Sequence, residues 1–140
     1  MPASYRILTD RNLVLVRYGG HVAIDETRAI VGEFLVDPAR RSGMRQLIDL
    51  AEVTSFDLDI VQLMALQAQK AAIFLAPEGG QTLLVYYAPH EAGFQMARHI
   101  LRSWQGISSV VATIQRQPRA ALDVLGVHPR DSQHLGLRTS

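Results

Sequence analysis

Residues 82–88 read Thr-Leu-Leu-Val-Tyr-Tyr-Ala, an uninterrupted run of mostly apolar side chains. Strands that are buried on both faces have this pattern, because helices cover both faces of a parallel sheet. The run follows Gly79-Gly80 and precedes Pro89, and all three are residues that favour turns. We therefore predict that residues 82–88 form an interior strand with helices packed on both sides of its sheet.

Strand and helix patterns alternate on both sides of this run. The predicted elements are a hairpin of strands 5–9 and 13–18, a helix from 25 to 37, a strand at 46–50, a helix at 57–74, the strand at 82–88, a helix from 89 to 104, a strand at 109–114 and a helix at 118–125. Asp25 is predicted to cap the first helix. Pro118 is predicted to open the last helix, and Gly126 to close it.

The order β-β-α-β-α-β-α-β-α predicts an α/β fold. Its sheet should be five-stranded and mixed but mostly parallel, with about four helices and an antiparallel hairpin at one side. Two loop assignments bear on function. Gly19-Gly20 is predicted to end the second strand, and residues 51–56 are predicted to form a loop after the third.

Length and composition narrow the class of protein. The chain has 140 residues, of which 48% are hydrophobic and 19% charged, as expected of one globular domain. We predict one domain over residues 1–127 and a loose polar tail over 128–140. The net charge of +1 is too small to produce a strong electrostatic field that would attract nucleic acid. The start of the chain lacks signal-peptide features, and no apolar run is long enough to cross a membrane, so we expect a cytoplasmic protein.

Residues 47–57 read Leu-Ile-Asp-Leu-Ala-Glu-Val-Thr-Ser-Phe-Asp. This stretch, together with the element order, resembles the STAS domain of the anti-sigma-factor antagonists, which has the SpoIIAA-like fold. In that family an Asp-Leu strand end is followed by a hydrophobic-Thr turn and a second Asp. Residues 93–98 and 121–126 resemble a less characterised bacterial branch of STAS-like proteins. The resemblance covers residues 5–126 and implies a regulatory protein that acts by binding other proteins.

One position departs from the family pattern. In the antagonists the second Asp is followed directly by a serine that becomes phosphorylated, whereas this chain has Leu58 there. Leucine has no hydroxyl group, so a phosphate-operated switch cannot work at this position. Thr54 and Ser55, in the preceding predicted loop, could still be modified or bind a ligand.

Ligands of open α/β sheets gather where the parallel strands end, at what is here called the carboxyl edge of the sheet. The candidate binding residues that the predicted elements place at this edge are His21, Thr54, Ser55, Asp57, Asp59, Tyr87 and His90. All of them except Tyr87 have a simpler interpretation. The aspartates suit the start of a helix, turn hydroxyls usually form local hydrogen bonds, and lone loop histidines are usually solvated.

Two functions remain open at this point. The first is a non-catalytic, regulatory interaction module that binds a protein partner. The alternative is a protein that binds or senses a small apolar or lipid-like ligand. The chain has no cysteine, no nucleophile-elbow motif and no histidine pair with metal-ligand spacing. We therefore expect no enzymatic activity, metal or cofactor, while the oligomeric state stays open.

Overall fold

A computed structural model of the chain describes residues 3–41, 43–57, 59, 82–104 and 110–128. They include a five-stranded sheet of order β1-β2-β3-β4-β5. The strands are β1 (Ser4–Leu8), β2 (Leu13–Val22), β3 (Arg45–Phe56), β4 (Thr82–Tyr87) and β5 (Val110–Gln115). The β1–β2 pair is antiparallel and the other three pairs are parallel. The mixed sheet and the interior position of β4 are therefore as predicted.

Three α-helices lie within the described residues: α1 (Ile24–Leu35), α2 (Glu91–Ser103) and α3 (Pro118–Leu125). Pro118 opens α3 and Gly126 closes it with a φ of 73°, as predicted for both residues. Apart from Asp57 and Asp59, the predicted helix at 57–74 lies outside the described residues, and so does all of the predicted tail except His128. None of the described helices is long and apolar enough to cross a membrane.

Apolar side chains pack on both faces of the sheet. Along β4, Leu84 and Tyr86 belong to one core cluster, which also contains Met96 and Ile100 of α2. Val85 and Tyr87 belong to a second cluster on the other face, with Leu122 of α3. Successive side chains of a strand point to opposite faces, so the unbroken apolar run reflects burial on both sides, as predicted.

The two strands that lead to the candidate site are longer than predicted. β2 continues past Gly19-Gly20 to Val22, and β3 continues through residues 51–56, which were expected to form a loop. These extensions pair with each other, because an unpaired backbone amide or carbonyl is costly to bury. His21, Thr54 and Ser55 therefore lie on strands rather than in loops, which corrects the prediction for these positions.

Candidate functional site

An irregular pairing of β2 with β3 brings the site together. The register shifts between Gly20 and His21, so that Gly20 pairs with Val53 but His21 pairs with Ser55. Gly20 has a φ of 64°, a left-handed conformation that glycine adopts readily. β3 thus has one extra residue, Thr54, at this point. A β-bulge of this kind changes the direction in which the following side chains point. Here the bulge at Thr54 places Ser55 beside His21.

His21, Ser55 and Asp57 form a hydrogen-bonded cluster that we call the rim triad. His21 Nδ1 lies 2.7 Å from Ser55 Oγ, and His21 Nε2 lies 2.8 Å from Asp57 Oδ1. The imidazole ring therefore bridges the hydroxyl and the carboxylate. Sequence reasoning placed His21, Ser55 and Asp57 at the same edge of the sheet but did not predict the hydrogen bond between His21 and Ser55, because the register shift depends on non-local pairing.

The ionised state of Asp57 determines the direction of its hydrogen bond with His21. The hydrogen bond from His21 lowers the pKa of Asp57, and the hydrogen bond from the Ile24 amide lowers it further. An ionised carboxylate can only accept hydrogen bonds, so His21 Nε2 must carry the proton that it donates. When the His21 ring is neutral, its other nitrogen has no proton, and Nδ1 then accepts a hydrogen bond from the Ser55 hydroxyl.

Asp57 also connects the end of β3 to the start of α1. Its Oδ2 accepts a hydrogen bond from the backbone amide of Ile24 at 3.2 Å, and its own amide donates to the Val22 carbonyl at 3.0 Å. The N-cap residue of α1 is Ala23, which forms no side-chain cap bond. The prediction that Asp25 caps this helix is therefore wrong, because a carboxylate from a distant strand binds the first amide.

The rim triad is accessible from solvent. The side chains of His21 and Asp57 are 52% and 43% exposed, and Thr54, Ser55 and Asp59 are exposed as well. Phe56 packs against the core cluster beneath α2. Strand alternation then directs its neighbour Ser55 away from that core. The polar groups are thus exposed and yet held in place.

Tyr87 does not belong to this exposed surface. It is only 6% exposed and packs in the core cluster that contains α3. Burial raises the pKa of Tyr87, and the charge of Asp49 raises it further. Asp49 is itself buried and forms an ion pair with Arg17 at 3.0 Å. The prediction of an accessible Tyr87 is wrong, since its side chain points into the core rather than past the end of β4.

The far end of the carboxyl edge carries His90 and Arg116. His90 is exposed at the N-cap position of α2, where it forms no side-chain cap bond. Arg116 follows β5 and lies with its guanidinium carbon 4.4 Å from the centroid of the Phe94 ring. It also donates a hydrogen bond to the Pro89 carbonyl at 3.2 Å. This cation is therefore positioned by two contacts, although it is exposed.

Comparisons with known proteins bear on the fold. No protein-family model matches the chain, and no curated protein is significantly similar to it. Among solved structures, it is similar to an uncharacterised protein of the DUF3478 family from Shewanella loihica, which has a SpoIIAA-like fold. The TM-score is 0.60 at 13% sequence identity, and the similarity covers 89% of this chain and 94% of that chain. The chain therefore has a SpoIIAA-like fold, which is the fold that its resemblance to the STAS domains implied.

Proposed function

We propose that the chain is a non-catalytic, regulatory interaction module of the STAS type, and that it binds a protein partner at the carboxyl edge of its sheet. The rim surface that binds the partner consists of His21, Thr54, Ser55, Asp57, Asp59 and His90. The observation that carries the proposal is the rim triad, an exposed group of polar side chains held by hydrogen bonds of 2.7 and 2.8 Å.

Pre-organisation of this kind favours recognition. A partner that binds mobile side chains must restrict them, at a cost of roughly 0.5–1.5 kcal/mol for each flexible side chain. His21 and Asp57 are already held by each other, and Asp57 is held again by the Ile24 amide. Binding at these residues therefore loses less entropy than binding at freely rotating surface side chains.

The distribution of charge along the edge supports recognition of a polar partner. Asp57 and Asp59 lie at the end where β3 finishes, and Arg116 lies beyond β5. Charges of opposite sign at these two places, one beyond the central strand β3 and one beyond the outer strand β5, set the orientation of a partner with the complementary pattern. Asp57 and Asp59 supply negative charge at this place without any modification. A phosphate at position 58 is therefore not needed for that purpose.

Asp59→Lys should weaken binding of the partner several-fold while leaving the free energy of unfolding within about 0.5 kcal/mol of wild type. Asp59 is exposed, so the substitution reverses a charge on the rim surface without disturbing the core. Binding is measured by quantitative mass spectrometry of proteins captured from a lysate, and stability by urea denaturation.

Asp123→Lys is the matched control, because Asp123 is an exposed acid on α3 and the change in net charge is the same. Capture by this variant should equal that of wild type. His90→Ala provides a second variant of the rim surface. Unchanged capture by both Asp59→Lys and His90→Ala, together with loss of capture by Arg98→Glu on the outer face of α2, would place the binding surface elsewhere.

A further inference from the structure

We propose that Ser55 is a nucleophile that accepts an acyl group from an uncharged ester or thioester, with His21 as its general base. The product is a covalently modified chain, so the proposal concerns a modification site rather than catalytic turnover. It goes beyond partner recognition and does not depend on it, because the reaction needs only the rim triad and the acyl donor.

Geometry supports this role for the triad. A serine hydroxyl becomes nucleophilic when an adjacent base lies within about 2.6–3.2 Å and a third group orients that base. His21 Nδ1 is 2.7 Å from Ser55 Oγ, and the opposite ring nitrogen is 2.8 Å from Asp57 Oδ1. The ring uses the reverse assignment of its two nitrogens compared with the Ser-His-Asp triad of serine proteases. The order of the three groups along the proton path is the same.

The hydrogen-bond directions are those that the reaction requires. Asp57 accepts from His21 Nε2, so Nδ1 of the neutral ring is free to take a proton from the Ser55 hydroxyl. Asp57 is a positioning residue, since it acts by orienting the ring and fixing which nitrogen carries the proton. The Ile24 amide holds the second oxygen of Asp57, which limits rotation of the carboxylate.

The reaction forms one bond and breaks one. Ser55 Oγ attacks the carbonyl carbon of the donor while its proton moves to His21 Nδ1. The tetrahedral intermediate then collapses as the bond from the carbonyl carbon to the alcohol or thiol leaving group breaks. His21 gives its proton to that leaving group and returns to the neutral form, and the acyl group remains on Ser55 as an ester.

Neighbouring charges select the class of donor. The rim triad contains the ionised Asp57, Asp59 is two residues further along the chain, and Asp25 and Glu26 lie in the first turn of α1. A donor with a negative charge next to its reacting carbonyl is repelled by these acids. An uncharged donor is not, and the exposure of the triad gives it access.

The test is acetylation by 4-nitrophenyl acetate, an uncharged ester, followed by acid quenching and peptide mapping by mass spectrometry. We expect an acetyl group on Ser55 and none on Ser4, an exposed serine of β1 that serves as an internal control. In His21→Gln the side-chain amide can still form hydrogen bonds, but it cannot act as a base near neutral pH. The acetylation rate of Ser55 should fall in this variant by roughly 100-fold or more.

Asp57→Asn and Asp57→Glu test the positioning residue through rescue by the conservative variant. The side-chain amide nitrogen of asparagine can donate to His21 Nε2, which leaves the proton of a neutral ring on Nδ1 and unable to accept from Ser55, so the acetylation rate of Ser55 should fall in Asp57→Asn. Glutamate keeps a carboxylate that only accepts hydrogen bonds, so Asp57→Glu should recover part of the rate. Thermal unfolding of each variant checks that it folds. The proposal is overturned if acid-quenched wild-type protein carries no acetyl group on Ser55, or if folded His21→Gln acquires it at the wild-type rate.

Discussion

Leu84→Asp should abolish cooperative folding. Leu84 is 2% exposed in the interior strand β4 and lies in the core cluster beneath α2. An unpaired buried charge costs about 3–5 kcal/mol, and lost apolar burial adds roughly 2 kcal/mol. The total free energy of unfolding for a domain is only about 5–15 kcal/mol. Circular dichroism during urea denaturation should therefore show no sigmoidal transition.

Val111→Asp is the matched control, because it introduces the same side chain on the adjacent strand β5. Val111 is 41% exposed, so the carboxylate stays hydrated. The loss of strand propensity should cost about 1 kcal/mol or less. A soluble Leu84→Asp variant that unfolds cooperatively would contradict the assignment of β4 as an interior strand buried on both faces.

Gly93→Ala should destabilise the chain by about 1–3 kcal/mol, the usual cost of overfilling a packed site. A Cβ atom on Gly93 would lie 2.5 Å from the backbone oxygen of Leu50 and 3.1 Å from its Cβ atom. The backbone oxygen belongs to β3 and cannot rotate away, so α2 would have to move off the sheet. The shift of the urea midpoint measures the effect.

Gly32→Ala is the corresponding control on α1. A Cβ atom at Gly32 would have no other atom within 4 Å, so alanine should stabilise the chain by about 0.4–1 kcal/mol through its lower chain entropy in the unfolded state. The two substitutions are chemically identical and should have opposite signs. Equal stability of Gly93→Ala and Gly32→Ala would show that α2 does not pack this closely on β3.

The hydrophobic pattern was sufficient to predict five strands and their order along the chain. The apolar run at 82–88 predicted β4, and Pro118 with Gly126 predicted the bounds of α3, because these signals are local. The same run could not show which way Tyr87 points. In a strand buried on both faces every position is apolar, so the pattern contains no alternation to assign side chains to one face.

The rim triad was harder to predict, because it depends on pairing between distant segments. Residues 51–56 contain polar side chains and look like a loop, yet they extend β3 by pairing with the end of β2. The register of β2 with β3 shifts by one residue between Arg17 and Gly19 and by another between Gly20 and His21, which places Ser55 opposite His21. No local pattern in the sequence indicates either shift.

The rim triad is tested most directly by an NMR titration of the Asp57 side-chain carboxyl carbon. Because His21 is the largest cause of the lowered pKa of Asp57, the titration midpoint in wild type should lie below that of an unperturbed aspartate. In His21→Ala it should rise, although the Ile24 amide still holds one oxygen. A wild-type midpoint equal to that of an unperturbed aspartate, and unchanged in His21→Ala, would contradict the hydrogen-bonded cluster on which both proposals rest.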